Sequence, residues 1–185
     1  RLNAKLKNLP RPVYFVKRDV KDYFPSIDHN CLLEMLGEWV EPEDTLFELL
    51  RQRIEFQTKH GDETITHSRG VAFGTAIACF FANLYLTPLD RRLSQLKGLS
   101  YFRYADDLLA FSNDRDTALE AEAIIADSFR ELHLVSKPKH HRNFFFAGNS
   151  EQDSHFEPCE KFRHLGLEFR QNGGVGLSLD KARKI

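Results

Sequence analysis

The chain has 185 residues, enough for one domain with a substantial core and too few for two. Its formal net charge is −1 and 29% of its residues are charged, so overall charge does not indicate nucleic-acid binding. The longest apolar stretch, 71–86, is interrupted by Gly74, Thr75 and Asn83, which excludes a membrane span there. The three cysteines lack a Cys-x-x-Cys spacing and no apolar leader is present, which predicts a reduced, cytoplasmic protein.

The sequence contains two basic clusters despite its balanced charge. Six lysines and arginines precede the first acidic residue, Asp19, and a second cluster covers 137–142. Each cluster can neutralise phosphates locally. A solvated surface explains each cluster equally well when it is considered alone.

Apolar patterns and turn residues predict the elements of the first half of the chain. In chain order these are a strand over 13–18, helices over 29–40 and 43–54, a hairpin or loop over 58–68, and a long helix over 75–96 dented at Pro88.

The second half is predicted in the same way. It contains two short strands flanking Asp106 and Asp107, a helix over 114–132, a strand over 143–147, a loop over 148–158, and a hairpin with arms near 163–170 and 175–179. This order predicts an α+β fold in which helices pack on one face of an antiparallel sheet.

The most informative residues are Asp106 and Asp107. They lie at the tip of the hairpin that the two short strands around them are predicted to form. Adjacent carboxylates repel each other, and an apolar hairpin gains no stability from them. Asp19 ends the first predicted strand, and the three carboxylates converge if that strand lies beside the hairpin. Such a cluster suits two divalent ions that activate a 3′-hydroxyl and stabilise a departing pyrophosphate. A surface hairpin tip, with Asp19 capping a turn, is the alternative.

Four segments in order resemble the palm domain of reverse transcriptases of bacterial type. These are 16–29 with Asp19 and Phe24-Pro25-Ser26-Ile27-Asp28, 69–74 leading into 82–86, Phe102-Arg103-Tyr104-Ala105-Asp106-Asp107, and the primer-grip-like Phe162-Arg163-His164-Leu165-Gly166-Leu167. The resemblance covers about residues 13 to 170. It implies an RNA-directed DNA polymerase, a nucleotidyltransferase that adds dNTPs to a DNA or RNA primer on an RNA template.

The resemblance also implies roles for individual residues. Asp19 and Asp106 would be the principal metal ligands, assisted by the Val20 carbonyl and Asp107. Two Mg²⁺ ions fit this set of hard oxygen atoms best, with Mn²⁺ as a substitute. Phe24, five residues after Asp19, would be the steric gate that excludes a 2′-hydroxyl, although a core aromatic is the alternative.

The resemblance assigns further residues around this site. Gly70 and Gly74 would let the backbone approach the template and the incoming base, beside Phe73. Ala72 and Phe73 replace the Pro and Gln that are common in the family, which places fidelity and template use in question. Leu165 and Gly166 would belong to the primer grip.

Lys139 would protonate the pyrophosphate, with Lys137 and His140 as alternative counterparts. A zinc site is the competing metal hypothesis, and its spacings match no compact zinc pattern. It would draw on His140, His141, His155, Cys159 and His164.

Residues 1–178 are expected to form the palm, with the fingers upstream and the start of a thumb at 179–185. The first residue is not Met, which is typical of a fragment, and we expect little processive synthesis without both flanking regions. Group II intron, diversity-generating, CRISPR-associated and antiviral defence enzymes are all candidate lineages. No Val-Thr-Gly follows the last hairpin, which argues modestly against a retron.

Two other functions remain open. A template-independent or protein-primed DNA polymerase of a defence system would use the same palm. Whichever polymerase this is, a fused or separate protein partner is also expected. A non-catalytic nucleic-acid-binding module is the third, disfavoured because a scaffold gains nothing from holding repelling charges together.

Overall fold

The computed structural model describes residues 2–60, 63–147 and 152–177. The predicted start of a thumb at 179–185 and part of the predicted loop at 148–158 lie outside these ranges. Within them, no helix has the length and apolar character needed to cross a membrane.

The elements are short helices and strands, and only α7 is longer than ten residues among those that the structure describes. In chain order they are α1 (Leu2–Asn8), β1 (Val13–Asp19), α2 (Tyr23–Ser26), α3 (His29–Gly37), α4 (Thr45–Ile54), β2 (Gln57–His60), β3 (Glu63–Thr66), α5 (Ala76–Tyr85), α6 (Thr87–Ser94), β4 (Ser100–Tyr104), β5 (Asp107–Ser112), α7 (Arg115–Glu131), a 3₁₀ turn (Pro138–His140), β6 (Arg142–Phe146), β7 (Glu157–Pro158), β8 (Lys161–His164), β9 (Leu167–Arg170) and β10 (Val175–Leu177).

The chain divides into two compact units. The first consists of residues 1–19, 93–123 and 137–185, and the second of residues 20–92 and 124–136.

The first unit is built on a five-stranded sheet with the order β4-β5-β1-β6-β7. β1 is the central strand and pairs antiparallel with both β5 and β6. β7 pairs parallel with β6, so the sheet is mixed at its edge rather than antiparallel throughout. A strand of two residues is too short to leave a periodic signal in the sequence, which explains why β7 was not predicted.

The last three strands form a separate sheet with the order β10-β9-β8. The prediction of one continuous arm over 163–170 was wrong, because the chain turns at Leu165 and Gly166. Both residues have positive φ angles, of 50° and 77°. Glycine adopts such angles freely, whereas a leucine there carries strain, so a tight turn at this point is a specific feature of the fold.

A phenylalanine-rich core accounts for much of the unusual abundance of Phe, 16 residues in all. The rings of Phe15 and Phe144 stack with centroids 4.9 Å apart, and Phe162 lies 5.0 Å from Phe15. Helix α1, which the sequence analysis did not predict, adds Leu6 to this core. The core's buried members are Leu6, Val13, Phe15, Leu109, Phe111, Phe144, Phe146, Phe162 and Phe169.

On β1, Arg18 is buried among polar partners, with only 2% of its surface exposed. Its guanidinium donates to the Glu122 carboxylate of α7 at 2.6 Å and to the Asn143 side chain of β6 at 2.9 Å. These contacts hold the C-terminal end of β1 between helix α7 and strand β6, directly before Asp19.

The second unit is mainly helical. Asp28, Asp44 and Thr75 cap the N-termini of α3, α4 and α5 by accepting backbone N–H groups. The predicted helix over 75–96 is two helices, because α5 ends at Tyr85 and α6 begins at Thr87. Pro88 lacks an N–H donor and fits only in the first turn of a helix, which explains the break.

Candidate active site

The hairpin β4–β5 places two carboxylates at its turn. Tyr104 pairs with Asp107, and Ala105 and Asp106 form the connection. Ala105 has a φ of 51°, a left-handed conformation that a non-glycine residue adopts at a cost. The guanidinium of Arg103 donates to the Ala105 carbonyl at 3.1 Å and braces this turn.

Asp19 lies beside the same hairpin. It is the last residue of β1 and is directly opposite Asp107 in the antiparallel ladder. The structure therefore places Asp19, Asp106 and Asp107 at one end of three adjacent strands, as the sequence analysis expected. Their side chains, however, have two different sets of partners.

The carboxylates of Asp19 and Asp106 share one cation. The Lys137 ammonium lies 2.6 Å from Oδ1 of Asp19 and 3.8 Å from Oδ2 of Asp106. His140 approaches from another side, with Nδ1 3.0 Å from Oδ2 of Asp19. Burial, followed by the negative charge of Asp19, raises the pKa of Asp106 above its usual value.

Asp107 has different neighbours. Nζ of Lys17 lies 3.0 Å from its Oδ1, and Nδ1 of the buried His164 lies 3.3 Å from its Oδ2. Burial acts to raise the pKa of Asp107, but the contacts from His164 and Lys17 outweigh it and hold that pKa below its usual value. Asp107 is therefore the better stabilised anion of the adjacent pair.

The segment after α7 supplies the lysine. The N–H of Lys137 donates to the Asp19 carbonyl at 2.7 Å, which fixes Lys137 beside the carboxylates. Lys139, the predicted proton donor, is not placed there. It lines an adjacent cavity of about 410 Å³ together with other cationic side chains. Of the three counterparts considered, the structure thus brings Lys137 and His140 to Asp19, and not Lys139.

The remaining predicted residues of the first unit lie at the β8–β9 turn. Leu165 is 46% exposed and Gly166 follows it in the turn, so both present themselves at the surface as a primer-grip residue must. Their role in holding a primer stays a prediction.

The predicted gate and glycine turn lie in the second unit. The rings of Phe24 and Phe73 meet edge to face at 5.4 Å, and Phe73 is 82% exposed. Gly70 has a φ of 92° and its N–H donates to the Ile27 carbonyl at 2.7 Å. A Cβ on Gly70 would meet Pro25 backbone atoms at 3.4 Å, an ordinary van der Waals distance, so the positive φ rather than lack of space favours glycine here.

Two other residues of this unit were also predicted. Gly74 has a φ of 87° and open space around it, so conformation alone favours glycine there. Val20 is fully buried and pairs with Ser136 in an isolated β-bridge. Phe24 is half-buried, which fits a gate or the edge of a core equally well.

The donor atoms fit a divalent cation in part. Asp19 and Asp106 direct hard carboxylate oxygens at one point, which the Lys137 ammonium contacts. Asp107 faces Lys17 and His164, and across the described ranges no three His, Cys, Asp or Glu side chains surround a common point. The fit is therefore to the Asp19–Asp106 pair.

The residues considered for zinc have separate partners. His140 contacts Asp19, His155 contacts Glu122 at 2.5 Å, and His164 contacts Asp107. Cys159 donates its thiol to the Lys161 carbonyl at 2.8 Å.

Sequence reasoning did not place Lys17 or His164 beside Asp107, because it considered His164 only as a zinc ligand and as part of the primer-grip-like segment. Lys17 precedes Asp19 by two positions, so the two share a face of β1, and that spacing was the available signal. His164 lies two positions after the core residue Phe162 on β8 and so shares its buried face, which predicts a buried histidine that needs a polar partner.

Comparison with known proteins bears on this arrangement. The family described as reverse transcriptase (RNA-dependent DNA polymerase) matches residues 2–169. The chain belongs to the reverse transcriptase family. That confirms the resemblance seen in the sequence, and enzymes of this family use divalent metal ions.

Curated relatives of bacterial origin match as well. Retron Ec73 reverse transcriptase of Escherichia coli is 29% identical over 69% of this chain and 40% of its own length. Retron Mx65 reverse transcriptase of Myxococcus xanthus is 36% identical over 60% of this chain and 28% of its own length. The chain thus spans two fifths or less of these relatives.

Solved structures confirm the fold. Apo telomerase from Candida tropicalis, truncated from its C-terminal domain, superposes with a TM-score of 0.70 at 15% identity, covering 96% of this chain and 38% of that one. Telomerase from the same organism with a fragment of telomeric RNA gives a TM-score of 0.70 at 14% identity, covering 93% of this chain and 30% of that one. The predicted α+β polymerase palm fold is thereby confirmed.

Proposed function

We propose that this chain is the catalytic palm of an RNA-directed DNA polymerase, a nucleotidyltransferase that extends a primer 3′-hydroxyl with deoxynucleotides. The observation that carries the proposal is the pair of Asp19 and Asp106 carboxylates around one cation, the Lys137 ammonium. Family membership supports the same reaction. On this proposal residues 1–178 form the palm, and fingers and thumb flank it.

Asp19 and Asp106 would hold the divalent ions, proposed to be two Mg²⁺, with the Val20 carbonyl and Asp107 assisting. When bound, such ions lower the pKa of the attacking 3′-hydroxyl and neutralise charge on the departing pyrophosphate. The raised pKa of Asp106 supports this assignment, because a carboxylate destabilised by burial and by a neighbouring anion gains most from a bound cation.

We assign proton donation to Nζ of Lys137 rather than to Lys139. Lys137 is fixed by its backbone hydrogen bond to Asp19, and its ammonium already lies at both carboxylates. A cation that moves from the carboxylates to the pyrophosphate oxygen as ions bind can deliver its proton to the leaving group.

Phe24 would select deoxynucleotides by its bulk. Its edge-to-face contact with Phe73 holds the ring in one orientation, which a steric gate requires. RNA as template, a DNA or RNA primer, and Leu165 and Gly166 as primer-grip residues complete the proposal.

A template-independent or protein-primed DNA polymerase is the second candidate. The exposed Phe73, where the family commonly has Gln, favours it because that position neighbours the nascent base pair in related enzymes. In either case Asp19 and Asp106 would have the same roles.

Primer extension in Mg²⁺ tests the proposal, using the protein with its flanking regions, dNTPs and a primed RNA. We expect synthesis that requires the RNA template and is lost in Asp106→Asn. Synthesis without template would support the second candidate, and full activity in Asp106→Asn would refute the site assignment. The same assay with Phe24→Ala and competing ribonucleotides should show increased ribonucleotide incorporation.

A further inference from the structure

His164 is a buried histidine with an unusual contact. It is 4% exposed, and its Nδ1 lies 3.3 Å from Oδ2 of Asp107. The geometry falls short of a well-directed hydrogen bond, and Nδ1 has no other such partner in the described part of the chain. A buried nitrogen in this state destabilises the fold, so its presence calls for an explanation in function.

The place of His164 in the chain supplies that explanation. It is the last residue of β8, and Leu165 and Gly166 follow it directly in the turn. His164 also pairs with Leu167 across this turn, so the imidazole is carried on the backbone that closes it. A displacement of the turn therefore displaces Nδ1 relative to Asp107.

The opposite side of Asp107 is held by the main sheet. Nζ of Lys17, on the central strand, donates to both carboxylate oxygens of Asp107, at 3.0 and 3.4 Å. Asp107 thus lies between a lysine on β1, in the main sheet, and a histidine on β8, in the separate three-stranded sheet. Its low pKa agrees with two donors facing a partly buried carboxylate.

We propose that His164 is a positioning residue that couples the Leu165-Gly166 turn to the Asp107 carboxylate. When the turn moves as a primer end is seated, Nδ1 comes into line with Oδ2, and Asp107 is held in the orientation that nucleotide addition requires. The proposal rests on the function proposed above, because it assigns Asp107 a part in that reaction.

Two substitutions separate positioning from packing. His164→Leu keeps an apolar volume but removes the nitrogen, whereas His164→Asn keeps a side-chain N–H near the position of Nδ1. We expect His164→Leu to lower kcat for single-nucleotide addition by about 10- to 100-fold, with the KM for dNTP changed less than about twofold. His164→Asn should recover most of that loss. Equal loss in both variants with unchanged melting temperatures would overturn the proposal.

A spectroscopic measurement tests the contact without any activity. In the intact protein with ¹⁵N-labelled histidine, the imidazole resonances of His164 should shift in Asp107→Asn. Those of His155, which contacts Glu122 instead, should not move and serve as the control. An unmoved His164 signal would overturn the proposal. Absence of polymerisation in the wild type would instead contradict the proposed function, and the NMR result would still stand.

Discussion

Asp106 and Asp107 are adjacent in the chain and both partly buried, but they differ in their charged neighbours and in the direction in which their pKa is shifted. Asp106 shares a cation with Asp19 and has a raised pKa, while Asp107 lies between Lys17 and His164 and has a lowered pKa. Two carboxylates can therefore be kept side by side when the protein stabilises only one of them as an anion. The other carboxylate, Asp106, would be stabilised as an anion by a cation that binds at the site.

The largest expected effect is on the rate of nucleotide addition, and it should distinguish Asp19, which shares the Lys137 ammonium with Asp106, from Asp107. We expect Asp19→Asn to lower the rate of nucleotide addition by about a thousandfold, roughly 4 kcal/mol of transition-state stabilisation. Asp107→Asn should cost about 10- to 100-fold, as expected for a supporting group. Single-turnover primer extension measures both, with Asp116→Asn on the exposed first turn of α7 as the control. A larger loss in Asp107→Asn would reverse the comparison.

The next largest expected effect is that of removing the Lys137 ammonium, which lies at both Asp19 and Asp106. Lys137→Met should slow the chemical step by about a hundredfold, since it removes a proton donor held at both carboxylates. Lys139→Met is the matched control and should stay within about threefold, because its side chain lines the neighbouring cavity. Rapid-quench measurement of single-nucleotide addition distinguishes them. Should Lys139→Met be the more damaged variant, the sequence-based assignment was right.

The smallest effect is on stability, and its sign should differ between the two aspartates. The raised pKa of Asp106 means that its contribution is stabilising at low pH and is lost as pH rises through that value. The lowered pKa of Asp107 gives stability that is present near neutral pH and is lost as pH falls through that value. At pH 7, Asp106→Asn should therefore raise the free energy of unfolding and Asp107→Asn should lower it, each by about 1 kcal/mol.

Urea denaturation in the presence of a chelator measures this difference. Exposed Asp116→Asn again serves as the control and should leave the midpoint nearly unchanged. A shift of the same sign in both site variants would show that the two carboxylates are in equivalent environments, which would refute the comparison.

Local pattern predicted much of this molecule. The strand ending at Asp19 and the hairpin around Asp106 and Asp107 follow from short apolar runs and turn residues, and the structure has both. The sequence predicts Lys139 at the carboxylates, whereas the structure places Lys137 there. Tertiary contacts decide this, because a hydrogen bond from Lys137 to the Asp19 backbone sets the register of that segment. No periodicity in the sequence encodes such a contact.

The same reason explains the other differences. The partner of His164 is 57 residues away in the chain, and β7 joins β6 through a segment with no strand pattern. The break between α5 and α6 at Leu86 has a local signal in Pro88, although the apolar pattern predicts one helix that is only dented there. Local sequence patterns were thus sufficient to predict most helices and strands, but not to predict which side chains contact each other in the fold.

The backbone around Gly70 has a consequence for how nucleotide selectivity can change. The N–H of Gly70 donates to the Ile27 carbonyl at 2.7 Å, and the N–H of Val71 donates to the Phe24 carbonyl at 3.1 Å. These hydrogen bonds join the segment that carries Phe24 to the segment that carries Phe73. A mutation that reshapes one aromatic ring alters the support of the other. Directed evolution toward ribonucleotide use should accordingly recover paired changes at 24 and 73 more often than single ones, with Gly70 retained throughout.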